Sequence, residues 1–182
     1  MAPSVLLDNA DDTHPDAKPS VSDLQKYGNP SLKVTADHRI KMEEVPIPEP
    51  GPGEVLIHIQ ATGVCGSDIH FWKRGRIGTL TIDGDCVLGH EAAGTVVRAH
   101  PTVTTLRPGD RINLKFINRY RDTWPAGISA LSGGVIDVKP LISHVFTLEQ
   151  AKEALELCSD LSHGSIKVQV VDDTEVSLPT HA

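Results

Sequence analysis

Apolar and polar side chains alternate with a period of two along several short segments, a pattern typical of β-strands. The alternation is clearest at residues 55–62 (V-L-I-H-I-Q-A-T), and residues 92–99 and 111–117 are also expected to be extended. Proline and glycine are concentrated between these segments, in P-I-P-E-P-G-P-G-E (46–54) and R-P-G-D (107–110). Short strands separated by such turns predict an open barrel or a sandwich.

The second half of the chain has a helical pattern. We expect Thr123 to cap a helix that Trp124 and Pro125 open, with Ile128 and Leu131 on one apolar face. Two consecutive glycines follow this face, as is common where a helix ends.

The clearest helical pattern covers residues 147–158, in which Thr147 and Gln150 have the spacing of a capping box. Residues 166–171 (I-K-V-Q-V-V) then predict a closing strand. Together these elements predict a mainly β protein with helices, of the α+β class. The apolar face of the helix predicted at residues 147–158 would carry Leu148, Ala151, Leu155 and Cys158.

The chain length of 182 residues is enough for one main core. Residues 1–24 contain few large apolar side chains, too few to offset the entropy of ordering, and we expect a disordered tail there. Residues 176–182 are expected to form a second tail.

Charge and cysteine content exclude several classes of function. The formal net charge is -7 and the basic residues are scattered, which argues against nucleic acid and anionic membranes as partners. There is no apolar run of about 18 residues and no signal-peptide pattern, so we expect no membrane segment and a cytoplasmic location. The 3 cysteines form no C-x-x-C pair, which favours a reducing compartment over a disulfide framework.

Two polar motifs follow predicted turns and strand ends, V-C-G-S-D-I-H-F-W (64–72) and L-G-H-E-A-A-G (88–94). They contain Cys65, His90 and Glu91, and a catalytic zinc takes three such protein ligands while its fourth position stays open for water or substrate. A zinc ion there would lower the pKa of a bound alcohol. The motifs therefore indicate a candidate metal site.

These residues also have purely structural interpretations. A cysteine that ends a strand is more often a small buried apolar residue, and a lone His-Glu pair is usually polar surface. Neighbours on a regular strand face opposite ways. His90 and Glu91 can therefore reach one metal ion only if Gly89 breaks the strand geometry.

Three further polar residues of the first motif have candidate supporting roles. Asp68 can accept the N–H of His90 and fix the tautomer of its ring. The Ser67 hydroxyl and His70 can pass a released proton outward. Taken alone, Ser67, Asp68 and His70 would simply form a polar turn.

In this order, the two motifs resemble the zinc-dependent medium-chain dehydrogenases. The stretch G-V-C-G-S-D-I-H-F-W-K-R-G-R-I-G (63–78) is most similar to their sorbitol, xylitol and L-arabinitol branch. The resemblance implies a GroES-like β-barrel catalytic domain with C-terminal helices and a strand, and an NAD-dependent oxidation of a polyol at a secondary alcohol. It also implies zinc ligands at Cys65, His90 and Glu91.

The same resemblance implies roles for residues around the metal. Ser67 would contact the reacting hydroxyl, Asp68 would support the metal-binding histidine, and His70 would relay protons. Phe71 and Ile77 fall where the family lines its substrate pocket. F-I-N-R-Y-R-D-T-W-P resembles the family's entry into its C-terminal region, which implies that Arg119 lies near substrate and nicotinamide.

The resemblance covers the two ends of a longer enzyme, joined between Ile112 and Asn113. The family's structural zinc lobe and Rossmann domain are missing, and none of the 15 glycines forms G-x-G-x-x-G. NAD is thus implied by the family without a binding fingerprint in this chain. We expect no Rossmann domain, an N-terminal catalytic part at residues 25–112 and a C-terminal dehydrogenase part at residues 113–175.

Leu114, Phe116 and Ile117 match a strand of the family's cofactor domain and are expected to form an unpaired apolar edge.

The motifs and the missing middle section leave three functional hypotheses: a polyol dehydrogenase, a zinc-binding fragment that lacks catalysis or modulates a full-length homologue, and an inert fragment. The expected partners are a small-molecule polyol and either a second copy of the chain or a full-length homologue.

Overall fold

The computed structural model describes residues 20–115 and 123–174, and these residues form ten strands and four α-helices. The predicted α+β class is confirmed. The strands are β1 (Pro30–Val34), β2 (Ile40–Glu44), β3 (Val55–Gly63), β4 (Arg76–Ile77), β5 (Leu80–Thr81), β6 (Cys86–Val87), β7 (Glu91–Ala99), β8 (Arg111–Lys115), β9 (Ile142–Thr147) and β10 (Lys167–Val171). The helices are α1 (Val21–Leu24), α2 (Gly66–Arg74), α3 (Trp124–Ser132) and α4 (Ala151–Ser159).

Two sheets organise the strands. The larger has five strands in the order β8-β7-β3-β10-β9, and the smaller has three in the order β2-β1-β6. Strands β4 and β5 form a separate two-stranded ribbon. The long antiparallel pair β3 and β7 is central to the larger sheet, as the alternating pattern of residues 55–62 predicts.

The end of the chain returns to the first half through β10. Strand β10 pairs antiparallel with β3, Gln169 opposite Gly63, while β9 pairs with β10 in parallel. A parallel pair requires a crossover connection, and α4 lies within the connection between β9 and β10. The best-buried core residues, each at most 2% exposed, come from both halves: Val34, Val96, Ala151, Ala154, Leu155 and Val168.

The predicted helix at residues 147–158 is confirmed, although its first turn, Leu148–Gln150, is a 3₁₀-helix. Thr147 and Gln150 form the predicted capping box. The predicted closing strand at residues 166–171 is also confirmed, as β10.

Helix α3 has the predicted bounds but not the predicted cap. Thr123 is at the N-cap position with φ -93° and ψ -17°, and its side chain makes no capping hydrogen bond. The reason is that a capping hydroxyl reaches the next turn from an extended backbone, and this backbone is already helical. Ile128 and Leu131 are 57% and 44% exposed, so the apolar face that they share lies at the surface.

One predicted segment boundary differs from the structure. The tail predicted at residues 1–24 is too long at its C-terminal end, because Val21–Leu24 is helical and Leu24 is only 4% exposed. Residues 1–19 and 176–182 lie outside the described residues. Among the described residues, no helix has both the length and the apolar character needed to cross a membrane.

The strand expected to be an unpaired edge is partly paired. Leu114 lies in β8 opposite Ala92 of β7, because residues 111–115 continue the antiparallel sheet on one side. Strand β8 is the outermost strand of that sheet, and Leu114 is 38% exposed. Phe116 and Ile117 lie outside the described residues.

Candidate metal centre

Cys65 lies between the end of β3 and the start of α2, where it is the N-cap residue of the helix. Its extended backbone, with φ -111° and ψ 150°, turns the chain from strand to helix. The Asp68 carboxylate accepts a hydrogen bond from the Cys65 N–H at 3.0 Å and satisfies a donor that the helix leaves unpaired. The helix start therefore fixes the position of the thiol.

His90 and Glu91 follow a glycine with an unusual backbone. Gly89 has φ +98°, a conformation that strongly favours glycine, and it interrupts the regular alternation just before β7. The Gly89 N–H donates to Asp68 Oδ1 at 3.2 Å. His90 therefore lies before the regular strand, which begins at Glu91, so the two side chains are not neighbours within one strand and can face the same site.

The three candidate donors converge. One side-chain donor atom from each of Cys65, His90 and Glu91 lies within 4.8 Å of the other two, and all three residues are half-buried. A thiol, an imidazole and a carboxylate at this spacing are a suitable donor set for zinc with three protein ligands. Among the described residues, this is the group of histidine, cysteine and acidic side chains that fits one ion.

Asp68 joins the two motifs and orients His90. Its side chain is 5% exposed, and Oδ1 lies 3.2 Å from Nδ1 of His90. Because an ionised carboxylate only accepts, the hydrogen on Nδ1 points at Asp68, and the lone pair of Nε2 is left for a metal.

The Ser67 hydroxyl lies between two of the donors. Its Oγ donates to Cys65 Sγ at 3.1 Å and is 3.0 Å from Nε2 of His90. This hydroxyl therefore lies beside two of the three candidate donor atoms.

Lys167 is a member of this site that the sequence interpretation missed. Its Nζ contacts Glu91 Oε2 and lies 3.2 Å from the Val64 carbonyl oxygen. It is the first residue of β10, 76 positions after Glu91. The available signal was a lysine in a mostly apolar closing strand, but nothing local indicated its partner.

The other predicted site residues lie farther from the donors or outside the described structure. His70 is exposed on α2, and within residues 20–115 and 123–174 no hydrogen bond joins it to Ser67. Phe71 and Ile77 are half-buried, on α2 and β4. Arg119 lies outside the described residues.

Cys158, on α4, shares this neighbourhood without joining the donor group. Burial raises the pKa of its thiol, against the opposing effect of the nearby Lys167 ammonium and with a further rise from Asp68. Its neutral form is therefore favoured, which suits its expected position on the apolar face of this helix.

A cavity of about 600 Å³ lies between the two sheets and reaches Gly89 and His90 at one end. It also contains a histidine–carboxylate hydrogen bond, with His58 Nε2 3.2 Å from Asp172 Oδ2. Burial opposes ionisation of Asp172, but hydrogen bonds from Thr174 and the contact with His58 outweigh it, so the pKa of Asp172 lies below its usual value. Phe71 and Ile77 do not line this cavity.

Comparison with known proteins identifies the domain. The alcohol dehydrogenase GroES-like domain matches residues 51–135. Sorbitol dehydrogenase from Bos taurus is 48% identical over 90 residues, which cover 50% of this chain and 25% of that protein. A sorbitol dehydrogenase sequence from Sus scrofa is 49% identical over 86 residues, which cover 47% of this chain and 89% of that sequence.

Solved structures with similarity to this chain include two dehydrogenases. A putative zinc-binding dehydrogenase from Sinorhizobium meliloti 1021 bound to NADP is 31% identical with a TM-score of 0.41, over 56% of this chain and 29% of that chain. Glucose dehydrogenase from Haloferax mediterranei in complex with NADP, Zn and gluconolactone is 34% identical with a TM-score of 0.41. The similarity covers 47% of this chain and 24% of that chain.

The match spans only part of these relatives, about a quarter of the length of the Bos taurus and Homo sapiens sorbitol dehydrogenases. Within that part, identity near 48% extends across 90 residues. The chain therefore belongs to the zinc-dependent medium-chain dehydrogenase family, in which it is similar to the sorbitol dehydrogenases, and its β-rich fold is that of their GroES-like domain.

Proposed function

We propose that Cys65, His90 and Glu91 bind one Zn²⁺, and that this site is the alcohol-activating part of an NAD-dependent polyol dehydrogenase. The observation that carries the proposal is the convergence of the three donor atoms within 4.8 Å. A zinc ion held there would act as a Lewis acid that lowers the pKa of an alcohol. Asp68 supports the proposal, because it holds the imidazole with Nε2 directed toward the other donors.

Ser67 is proposed to take the proton of the reacting hydroxyl. Its Oγ lies beside both Cys65 Sγ and His90 Nε2, so it borders the open side of the donor group, and a hydroxyl can accept one proton while it donates another. His70 lies three positions later on the same helix, hence on a similar face, and is exposed to water. We propose that it passes this proton to solvent.

The substrate is proposed to be a small polyol of the sorbitol, xylitol or L-arabinitol type, because several relatives are sorbitol dehydrogenases. Phe71 and Ile77 are proposed to contact its carbon chain, and Arg119 its polar end. The reducing cytoplasm is the proposed location, since Cys65 must remain a free thiol to bind metal.

A second candidate function is zinc binding without catalysis, either alone or as a modulator of a full-length homologue. The observation in its favour is that no G-x-G-x-x-G occurs anywhere in the 182 residues, so no segment offers the usual cradle for a dinucleotide pyrophosphate. In this case the protein lacks the family's middle section, and the hydride acceptor has no binding site in this chain.

Metal content tests the zinc site that both functions share. The purified chain is expected to bind one zinc per chain, and Cys65→Ser is expected to lose it, because the thiolate is the only sulfur donor of the group. Cys86→Ser is the matched control, since Cys86 is also a half-buried free cysteine but lies on β6, outside the donor group. Absence of zinc in the unaltered chain, or equal loss in both variants, would refute the proposal.

An activity assay then separates the two functions. If the chain is a dehydrogenase, zinc-loaded protein should reduce NAD with L-arabinitol, xylitol or sorbitol, and the absorbance of NADH at the nicotinamide band is the readout. Stoichiometric zinc without turnover on any of the three polyols would instead support the non-catalytic function.

A further inference from the structure

The Lys167 ammonium faces the third donor of the metal centre. Its Nζ contacts Glu91 Oε2, and the two side chains are only 34% and 29% exposed. Charges in such a partly buried pair are screened less by water and salt than charges on an open surface. Glu91 is thus paired with a cation before any metal arrives.

The position of Lys167 follows from the way β10 meets β3. Gln169 lies opposite Gly63, so Lys167, two residues earlier, extends past the end of β3 toward Val64 and the metal donors. Gly63 leaves room for it, because a Cβ at Gly63 would lie 2.6 Å from Lys167 Cε. The lysine is therefore placed by a strand pairing and a missing side chain, and not by a flexible surface loop.

The other two donors meet a neutral partner instead. Cys65 Sγ and His90 Nε2 each lie close to the uncharged hydroxyl of Ser67, at 3.1 and 3.0 Å. Only a weak contact must be displaced at these two atoms, whereas at Glu91 an incoming dication competes with an existing charge-assisted bond. The positive charge of Lys167 therefore opposes metal binding at the Glu91 carboxylate, and no such charge contacts the other two donor atoms in the hydrogen bonds given above.

We propose that Lys167 sets the affinity of this centre for divalent metal and keeps it low, by pairing with Glu91 and by repelling the ion. The inference rests on the proposed zinc site, of which it is a refinement. Lys167 acts through Glu91 and through its own charge, so it is a positioning residue and not a metal ligand. Its ammonium makes Glu91 the most easily released of the three donors, and the metal correspondingly exchangeable.

The test is a metal-affinity measurement on the full 182-residue chain. The dissociation constant for Zn²⁺ is measured by competition with a chromogenic chelator, and that for Co²⁺ by its visible absorption. Lys167→Met and Lys167→Gln remove the charge and are both expected to bind either ion at least about tenfold more tightly, or about 1.4 kcal/mol. Gln can still donate to the Val64 carbonyl, so it serves if the Met variant does not fold.

Two controls keep the charge effect apart from a general structural effect. Lys167→Arg retains the positive charge and is expected to restore the affinity of the unaltered chain. Lys33→Met removes another partly buried lysine, whose Nζ lies 3.1 Å from Glu43 Oε2, and should leave metal affinity unchanged. If Lys167 were only a structural residue, its replacement would lower the midpoint temperature of thermal unfolding without increasing the affinity for metal.

Failure of this inference is distinguishable from failure of the proposed zinc site. If the unaltered chain binds neither ion, the zinc site itself is refuted. If it binds metal, and the neutral Lys167 variants bind with equal or lower affinity, the zinc site stands and the role assigned to Lys167 is overturned.

Discussion

Gly89 has a backbone φ of +98° and directs the chain so that His90, which precedes β7, and Glu91, the first residue of β7, both present a donor atom near Cys65. In a regular strand their side chains would face opposite sides of the sheet. A Cβ at position 89 would also lie 3.0 Å from Thr62 Cγ2, so both backbone and packing require glycine.

Gly89→Ala is expected to lower the free energy of unfolding by about 1–2 kcal/mol, the cost of a left-handed backbone in an L-residue. It should also weaken Co²⁺ binding by at least about tenfold, since His90 and Glu91 would be displaced relative to Cys65. Gly53→Ala is the control, because Gly53 has φ +84° with nothing within 4 Å of the added Cβ. Chemical denaturation and Co²⁺ titration check both variants, and equal metal affinity in the two would contradict this account.

Most of the candidate site could be predicted from single residues and short motifs, because the donors and their helper Asp68 lie in two local sequences. Lys167 could not, since its contact with Glu91 depends on which strand β10 joins. The His58–Asp172 pair was missed for the same reason: its members are 114 positions apart. Local periodicity indicates a strand but not its neighbour.

At the scale of elements, β10 is the link between the end of the chain and the metal centre. The Val64 N–H, directly before Cys65, donates to the Val168 carbonyl oxygen at 2.9 Å. Val168 is 1% exposed and α4 packs against its strand. Strand β10 was predictable from its apolar alternation, whereas the surface position of α3 was not, because an amphipathic pattern does not say whether a partner covers it.

Val168→Ala is expected to lower the free energy of unfolding by about 2 kcal/mol, because it removes buried methyl groups and leaves a cavity between β10 and its neighbours. Val145→Ala on β9 is the matched control, since Val145 is 59% exposed and should cost no more than about 0.5 kcal/mol. Urea denaturation of the metal-free chain measures both. Equal destabilisation would show that β10 does not contribute to the core as described.

At the scale of the whole molecule, both halves of the chain contribute to one sheet and one site. Strands β3, β7 and β8 lie before residue 116 and β9 and β10 after residue 141, and the metal donors, all before residue 92, meet Lys167. The second half, by contrast, leaves several apolar side chains open to solvent, including Val135 at 77% and Leu141 at 51%. The shared sheet brings Lys167 of the C-terminal part beside donors that all lie in two motifs of the N-terminal part.

The central claim is that Cys65, His90 and Glu91 hold one zinc ion together, and X-ray absorption at the zinc edge of the loaded chain tests it most directly. The account predicts a first coordination shell with one sulfur at about 2.3 Å and the remaining ligands, nitrogen or oxygen, at about 2.0–2.2 Å. In Cys65→Ser the sulfur contribution should disappear. A shell without sulfur in the unaltered chain, or one with several sulfurs, would contradict the account.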